Sequence, residues 1–241
     1  MLLAEALPLS RILVVVPTYN ERENVGPLVS SLFQIVPEAD VMLIDDNSPD
    51  GTAAAAEKFF GSEPRFLVVT RTGRRGYGRS LLDGYRLAVE KNYARLVQMD
   101  ADFSHDPKVV PSLINVARGA DVAIGSRYCP GGRVVNWPWH RRFLSRFANE
   151  YVARITGVTV RDSTGGFRCY THRALRCLLE IGFTSEGYAF QVETVFRAQR
   201  QALRMVEIPI TFTDRRAGQS KMSGKTILES ALKPWRLRFG R

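Results

Sequence analysis

Five short apolar runs, each followed by a polar loop and then a helical stretch, occupy the first half of the chain and leave few folds open to it. They fall at residues 11–16, 41–44, 65–70, 96–99 and 121–125. The first, Arg-Ile-Leu-Val-Val-Val, is β-branched and shows no polar alternation, the pattern of a strand covered on both faces. Strands alternating with helices build a parallel sheet, because a parallel connection needs a right-handed crossover. The expected fold class is therefore α/β: a Rossmann-like, doubly wound, mostly parallel central sheet flanked by helices. Such sheets bind ligands in the crevice beyond the carboxyl ends of their strands. This chain places its Asp, Gly and Arg clusters there.

The fourth run ends in Asp100-Ala101-Asp102, followed by Phe-Ser-His-Asp and then Pro107, which suits the first turn of a helix. Side chains two apart on a strand share a face, and neighbours alternate, so carboxylates this close at a strand end need a reason. Mg²⁺ or Mn²⁺ is held by one or two carboxylates, with substrate phosphates completing its shell. Asp100 and Asp102 therefore read as a metal–diphosphate site; a solvated acidic turn would show the same two residues.

The other loops add candidates. Pro17-Thr18-Tyr19-Asn20-Glu21 follows the first strand and precedes a helix expected over 23–33. Tyr19 suits stacking on a base, and Glu21 suits accepting from a base or ribose. Asn20 and Glu23 also fit a capping box. Asp46, after the second strand, is placed to take a ribose hydroxyl or a base N–H. Asp50 or Thr52 starts a helix over 53–60. Residues 71–78, Arg-Thr-Gly-Arg-Arg-Gly-Tyr-Gly, precede a helix over 79–91 and suit a phosphate, although glycines also simply make turns.

Composition narrows the partners. With 241 residues and 45% hydrophobic content, the chain can bury a sizeable core, and its net charge of +10 points to anionic partners. Its basic residues cluster in loops beside acidic strand ends, where Asp100 and Asp102 would repel a phosphate backbone, so nucleic acid is not expected. The three cysteines match no zinc spacing and read as reduced thiols. Residues 1–10 lack a basic n-region and a cleavage site, and no apolar run reaches the roughly 18 residues of a spanning helix.

The second half changes character after Pro130-Gly131-Gly132. Over 137–155, Trp139, Phe143, Phe147 and Tyr151 recur every fourth residue, with Arg142, Arg146 and Arg154 on another side. This is a basic amphipathic helix suited to a membrane surface, to the sheet, or to both. Residues 162–166, Asp-Ser-Thr-Gly-Gly, lead into a short strand; the glycines permit close backbone approach to a ligand, while Asp162 or Arg168 contacts a sugar or holds the loop. Helices are expected over 173–180 and up to Arg200, and a strand pair over 205–213 is interrupted by Pro209. Residues 214–225 form a basic loop able to clamp phosphates through Arg215 and Lys221. A second apolar stripe spans 227–239, with Pro234 kinking or ending its helix.

Taken together, Pro17-Thr-Tyr-Asn-Glu21, Asp45-Asp46-Asn-Ser-Pro-Asp-Gly51, Asp100-Ala-Asp102, Gly125-Ser-Arg-Tyr128 and Arg215 with Ser220-Lys221 resemble glycosyltransferase family 2, of GT-A fold. More narrowly, they are similar to dolichyl/polyprenyl-phosphate mannosyltransferases. The resemblance implies one GT-A domain over 1–241, with a nucleotide-sugar half at 11–130 and an acceptor-binding, membrane-facing half at 131–241. It implies a metal-dependent, inverting transfer of mannose from GDP-mannose to a polyprenyl or dolichyl monophosphate, with UDP-glucose as the alternative donor. By the same resemblance, Pro17, Tyr19, Glu21, Ile44 and Asp46 line the guanosine pocket. Asp100 and Asp102 bind Mg²⁺ or Mn²⁺ and the diphosphate, with the Ala101 backbone beside them. Arg127, Arg215 and Lys221 contact phosphates, and Arg133 the acceptor phosphate. Some relatives hold the metal with a glutamine two positions after the second aspartate; this chain has Ser104 there. His105, beside it, reads as a local hydrogen-bonder. An isoprenoid acceptor places the enzyme at a membrane, peripherally on the cytoplasmic face, with a separate membrane-anchoring protein as a further partner.

Overall fold

The computed structural model describes residues 10–214 and 224–240. Its main sheet is built from β1 (Ile12–Thr18), β2 (Ala39–Asp45), β3 (Phe66–Thr70), β4 (Arg95–Gln98), β5 (Val122–Ser126), β7 (Arg168–Thr171) and β8 (Met205–Pro209). A separate pair joins β6 (Arg133–Val135) to β9 (Thr211–Thr213). The helices are α1 (Arg22–Ile35), α2 (Thr52–Phe60), α3 (Tyr77–Glu90), α4 (Val110–Val116), α5 (Trp139–Thr156), α6 (His172–Ile181), α7 (Ala189–Arg200) and α8 (Gly224–Phe239). A 3-10 turn, Pro107–Val109, precedes α4, and its first N–H groups are met by Asp106, whose Oδ1 accepts from the Lys108 N–H at 3.0 Å.

The main sheet has the order β3-β2-β1-β4-β7-β5-β8. Pairing is parallel along β3-β2-β1-β4, so four strands end at one edge. The run of Leu13, Val14, Val15 and Val16 is fully buried because its alternate residues feed different cores. Val14 and Val16 pack with Leu28, Leu32 and Leu113. Leu13 and Val15 pack with Leu81, Tyr85 and Phe190 on the opposite face.

Several features depart from the sequence expectation or narrow it. β7 runs antiparallel between β4 and β5, so the sheet is mixed at that point. The β6–β9 pair connects segments about 80 residues apart in sequence, and a three-residue strand is too short for a periodicity signal. Pro209 ends β8, and the two pieces of the expected strand pair belong to different sheets. Pro234 lies inside α8 rather than ending it. The expected capping box does not form: Asn20 takes φ 56°, Glu21 occupies the N-cap position of α1, and no side-chain cap bond is made.

Candidate active site

A cavity of about 340 Å³ opens across the carboxyl ends of β1, β2 and β4 and the amino end of α3. Pro17, Tyr19, Glu21, Asp46, Asp100, Ala101 and Asp102 all line it. These seven come from three loops spread over 86 positions, and only the parallel stacking of β2, β1 and β4 brings them together.

The two carboxylates at the end of β2 divide the work. Asp45 is buried and accepts from Thr18 Oγ1 at 2.8 Å and the Ser48 N–H at 2.7 Å, so it knots the loops after β1 and β2. Asp46 faces the cavity, with one oxygen on Arg71 and the other accepting from the Gly76 N–H at 2.9 Å. Arg71 also donates to Asp83 at 2.8 Å. The basic glycine-rich loop is thereby folded down onto Asp46. Its Arg75 lies 4.6 Å from the centre of the Tyr19 ring and donates to the Tyr19 hydroxyl. Glu21 Oε2 accepts from Asn24 at 2.8 Å.

At the other end, Asp100 Oδ1 accepts from Tyr77 Oη at 2.9 Å, and the Asp100 N–H donates to His105 Nδ1 at 3.0 Å. Asp102 Oδ1 accepts from the Ser104 N–H at 3.0 Å. Between them and Ser104 lies Phe103 at φ 61°, a left-handed conformation that costs a bulky residue energy and fixes the turn sharply. His105 is buried between Phe167, stacked at 4.8 Å, and Phe212; burial holds its imidazole below the ordinary histidine value. It is the local hydrogen-bonder the sequence suggests. Burial, then the adjacent Asp100 carboxylate, pushes the Tyr77 phenol well above the ordinary tyrosine value, so it stays a donor.

Among the described residues no group of three or more His, Cys, Asp or Glu side chains converges to hold an ion. Two carboxylates such as Asp100 and Asp102 suit only a shared site, in which a hard cation takes one or two carboxylates and leaves the rest of its shell to phosphate and water.

Other expected site residues fall elsewhere. The Ile44 side chain is buried in the core under Gly84, because the last residues of β2 alternate and Ile44 points into the sheet's α3 face. Arg127 is not at the cavity: it makes a bidentate pair with Asp162, at 2.8 and 2.7 Å, and donates to Thr164 at 2.8 Å. Both partners are almost wholly buried, with Tyr128 and Phe212 rings beside the guanidinium. Arg133 is exposed on β6. Arg215 and Lys221 lie outside the described residues. In the loop at 162–166, Asp162 and Arg168 hold the loop, Arg168 donating to the Ser163 carbonyl at 2.8 Å and the Gln191 carbonyl at 3.0 Å.

Sequence reasoning missed Tyr77, Ser80 and Tyr188, which also line the cavity. Tyr77 and Tyr188 stack with centroids 5.0 Å apart. The signal available for Tyr77 was its position inside the glycine-rich loop; nothing local marks Tyr188, which arrives from 111 residues further on.

A mixed, mainly parallel sheet with an acidic doublet at the mouth of a strand-end cavity defines the GT-A class of α/β fold. Among solved structures, glucosyl-3-phosphoglycerate synthase from Mycobacterium tuberculosis shares it, with a TM-score of 0.71 at 16% identity, over 93% of this chain and 78% of that one. Residues 13–179 match Glycosyl transferase family 2, and the chain belongs to that family. It is 43% identical to a polyprenol monophosphomannose synthase of Mycolicibacterium smegmatis, over 95% of this chain and 88% of that protein. It is 41% identical to an undecaprenyl-phosphate mannosyltransferase of Micrococcus luteus, over 92% and 91%. A dolichol-phosphate mannosyltransferase of Pyrococcus furiosus is 35% identical over 91% of this chain and 61% of its own length.

Proposed function

We propose that this chain transfers mannose from GDP-mannose to a polyprenyl monophosphate, giving a β-linked lipid-phosphate sugar. The observation that carries the reading is the joining, in one cavity, of a base-sized aromatic and carboxylate end (Tyr19, Glu21, Asp46) to an acidic doublet (Asp100, Asp102). Relatives above 40% identity, named for mannosyl transfer to polyprenyl phosphates, support the acceptor and the sugar.

The chemistry follows from charge. A phosphate monoester has its second pKa at about 6, so at neutral pH it is already an anionic nucleophile and needs no general base. One of its oxygens attacks C1 of the donor mannose. The C1–O bond to the diphosphate breaks, and the electron pair leaves with GDP. Asp100 and Asp102 would hold Mg²⁺ or Mn²⁺, which when bound neutralises charge on that leaving diphosphate. Tyr19, backed by the Arg75 guanidinium, stacks on the base; Glu21 and Asp46 accept from base and ribose. Arg215 and Lys221, by family resemblance, hold phosphates that would otherwise repel each other. Each carboxylate lining the cavity is engaged by a donor: Glu21 by Asn24, Asp46 by Arg71, Asp100 by Tyr77 and Asp102 by Ser104. With the acceptor phosphate itself attacking C1, a single direct displacement inverts the anomeric centre.

No helix among the described residues is long and apolar enough to cross a membrane. A lipid-phosphate acceptor puts the protein at a membrane, peripherally and on its cytoplasmic face, attached through α5 and α8, whose exposed aromatics and arginines suit an anionic lipid surface. The test is a donor panel, GDP-mannose against UDP-glucose, with prenyl phosphate and label read in the lipid extract. Label from GDP-mannose alone is the expected result; label from UDP-glucose alone would overturn the donor assignment.

A further inference from the structure

Four polar side chains outside the family motifs, Tyr85, Gln98, Gln191 and Tyr77, form one hydrogen-bonded chain that starts in the core and ends on Asp100. Tyr85 Oη donates to Gln98 Oε1; Gln98 Nε2 donates to the Gly166 carbonyl at 2.7 Å and to Gln191 Oε1 at 3.1 Å. Gln191 Nε2 donates to Tyr77 Oη at 3.2 Å, and Tyr77 Oη donates to Asp100 Oδ1 at 2.9 Å. Gln98 and Gln191 are almost completely buried, and glutamine amides placed in a core need a specific reason. Each amide here is oriented by its neighbours: Gln98 is fixed by Tyr85 and Gly166, and this obliges Gln191 to present its NH₂ to Tyr77. The Tyr77 oxygen, filled on its acceptor side, then has its proton directed at Asp100.

Gly166 adds an independent constraint. A Cβ there would lie 2.5 Å from Tyr77 Oη and 3.6 Å from Asp100 Oδ1. The glycine permits a close approach, but to the Tyr77 hydroxyl rather than to a ligand. Tyr188 stacks on the other side of the Tyr77 ring and limits its swing.

We infer that Tyr77 is a positioning residue for the candidate metal site, holding Asp100 Oδ1 so that Oδ2, 3.9 Å from His105 Nε2 and beyond hydrogen-bond reach of it, is the oxygen presented to a divalent cation, with Gln191 and Gly166 keeping the Tyr77 hydroxyl on target. The inference rests on the metal role proposed above for Asp100. Partners that orient a ligating carboxylate typically change metal affinity about 10- to 100-fold when removed. The phenol oxygen bonds to Gln191 and Asp100, so Tyr77→Phe removes the bond that orients Asp100 and keeps the ring stack.

The experiment is Mn²⁺ binding followed by electron paramagnetic resonance, on wild type, Tyr77→Phe and Gly166→Ala, each with saturating GDP and, separately, UDP. Thermal melts and metal-free nucleotide binding run alongside. Expected is a rise of about 10-fold or more in the Mn²⁺ dissociation constant for Tyr77→Phe, with melting temperature and metal-free nucleotide binding unchanged. Gly166→Ala should shift the same constant, and the double variant should do no worse than the worse single one. Wild-type Mn²⁺ affinity in a folded Tyr77→Phe protein would overturn the inference while leaving the metal site standing. A wild type that takes up Mn²⁺ with neither nucleotide would sink the metal reading and the inference together.

Discussion

Asp102 and Asp162 are both buried aspartates, yet their surroundings give them opposite meanings. Asp102 lines the cavity beside Asp100 and is held by a backbone N–H from its own turn, so its charge is aimed at what enters. Asp102→Ala should lower transfer by at least about 100-fold, with an unchanged circular dichroism spectrum and melt. Activity within a few-fold of wild type would remove Asp102 from the site. Asp162 faces Arg127 in the protein's interior; against burial, which pushes it up, the guanidinium holds its carboxyl below the ordinary range. Leaving a buried guanidinium unpaired is costly, so Asp162→Ala should destabilise the fold by about 3–5 kcal/mol in urea titration. A variant of native stability that had only lost donor affinity would return Arg127 to the phosphate-binding role the sequence suggests.

Helices α7 and α8 are joined by Glu193, which accepts from the Thr184 and Ser185 N–H groups at 3.0 and 2.7 Å and sits 3.1 Å from Lys233. Burial raises its pKa, but those hydrogen bonds, Arg197 and Lys233 outweigh burial and bring it to about 2. A depressed carboxylate stabilises the fold above its ordinary value of 4.5 and loses that contribution as pH falls towards about 2. Melts should therefore drop over that window, and Glu193→Gln should flatten the drop; an identical acid limb in the variant would refute the assignment. On α5 the stripe expected every fourth residue turns outward: Trp139 is 78% exposed, Phe143 67% and Phe147 53%. Trp235 of α8 reaches across to the Tyr151 hydroxyl at 2.8 Å, so both helices share that face. Replacing Trp139 and Phe143 by Glu should release the protein from anionic liposomes in sedimentation without changing its melt; undiminished pelleting would place the attachment elsewhere. These helices also mark where sequence reading stops. The strand ends carrying Tyr19, Glu21, Asp46, Asp100 and Asp102 were legible because apolar runs and acidic loops repeat at the pitch of a parallel sheet. The insertion of β7 between β4 and β5 was not, because antiparallel pairing depends on where a chain returns from, and residues 168–171 look alike in either direction. The pairing of Arg127 was hidden for a related reason: its partner, 35 residues away, is invisible until the fold brings Asp162 underneath it.

Over the whole molecule, a chain with net charge +10 places a carboxylate-lined cavity at the edge of its sheet. Excess cationic charge draws an anionic donor and an anionic lipid phosphate to the protein, yet the carboxylates at the cavity mouth would repel both. A divalent cation held by Asp100 and Asp102, as proposed, would reconcile the two by neutralising the donor diphosphate. The direct measurement is transfer of label from GDP-mannose to prenyl phosphate by protein stripped with a chelator and then resupplied with Mn²⁺ or Mg²⁺. Transfer should fall to background on stripping and return on adding either ion; an unchanged rate in the stripped protein would contradict a metal-held donor.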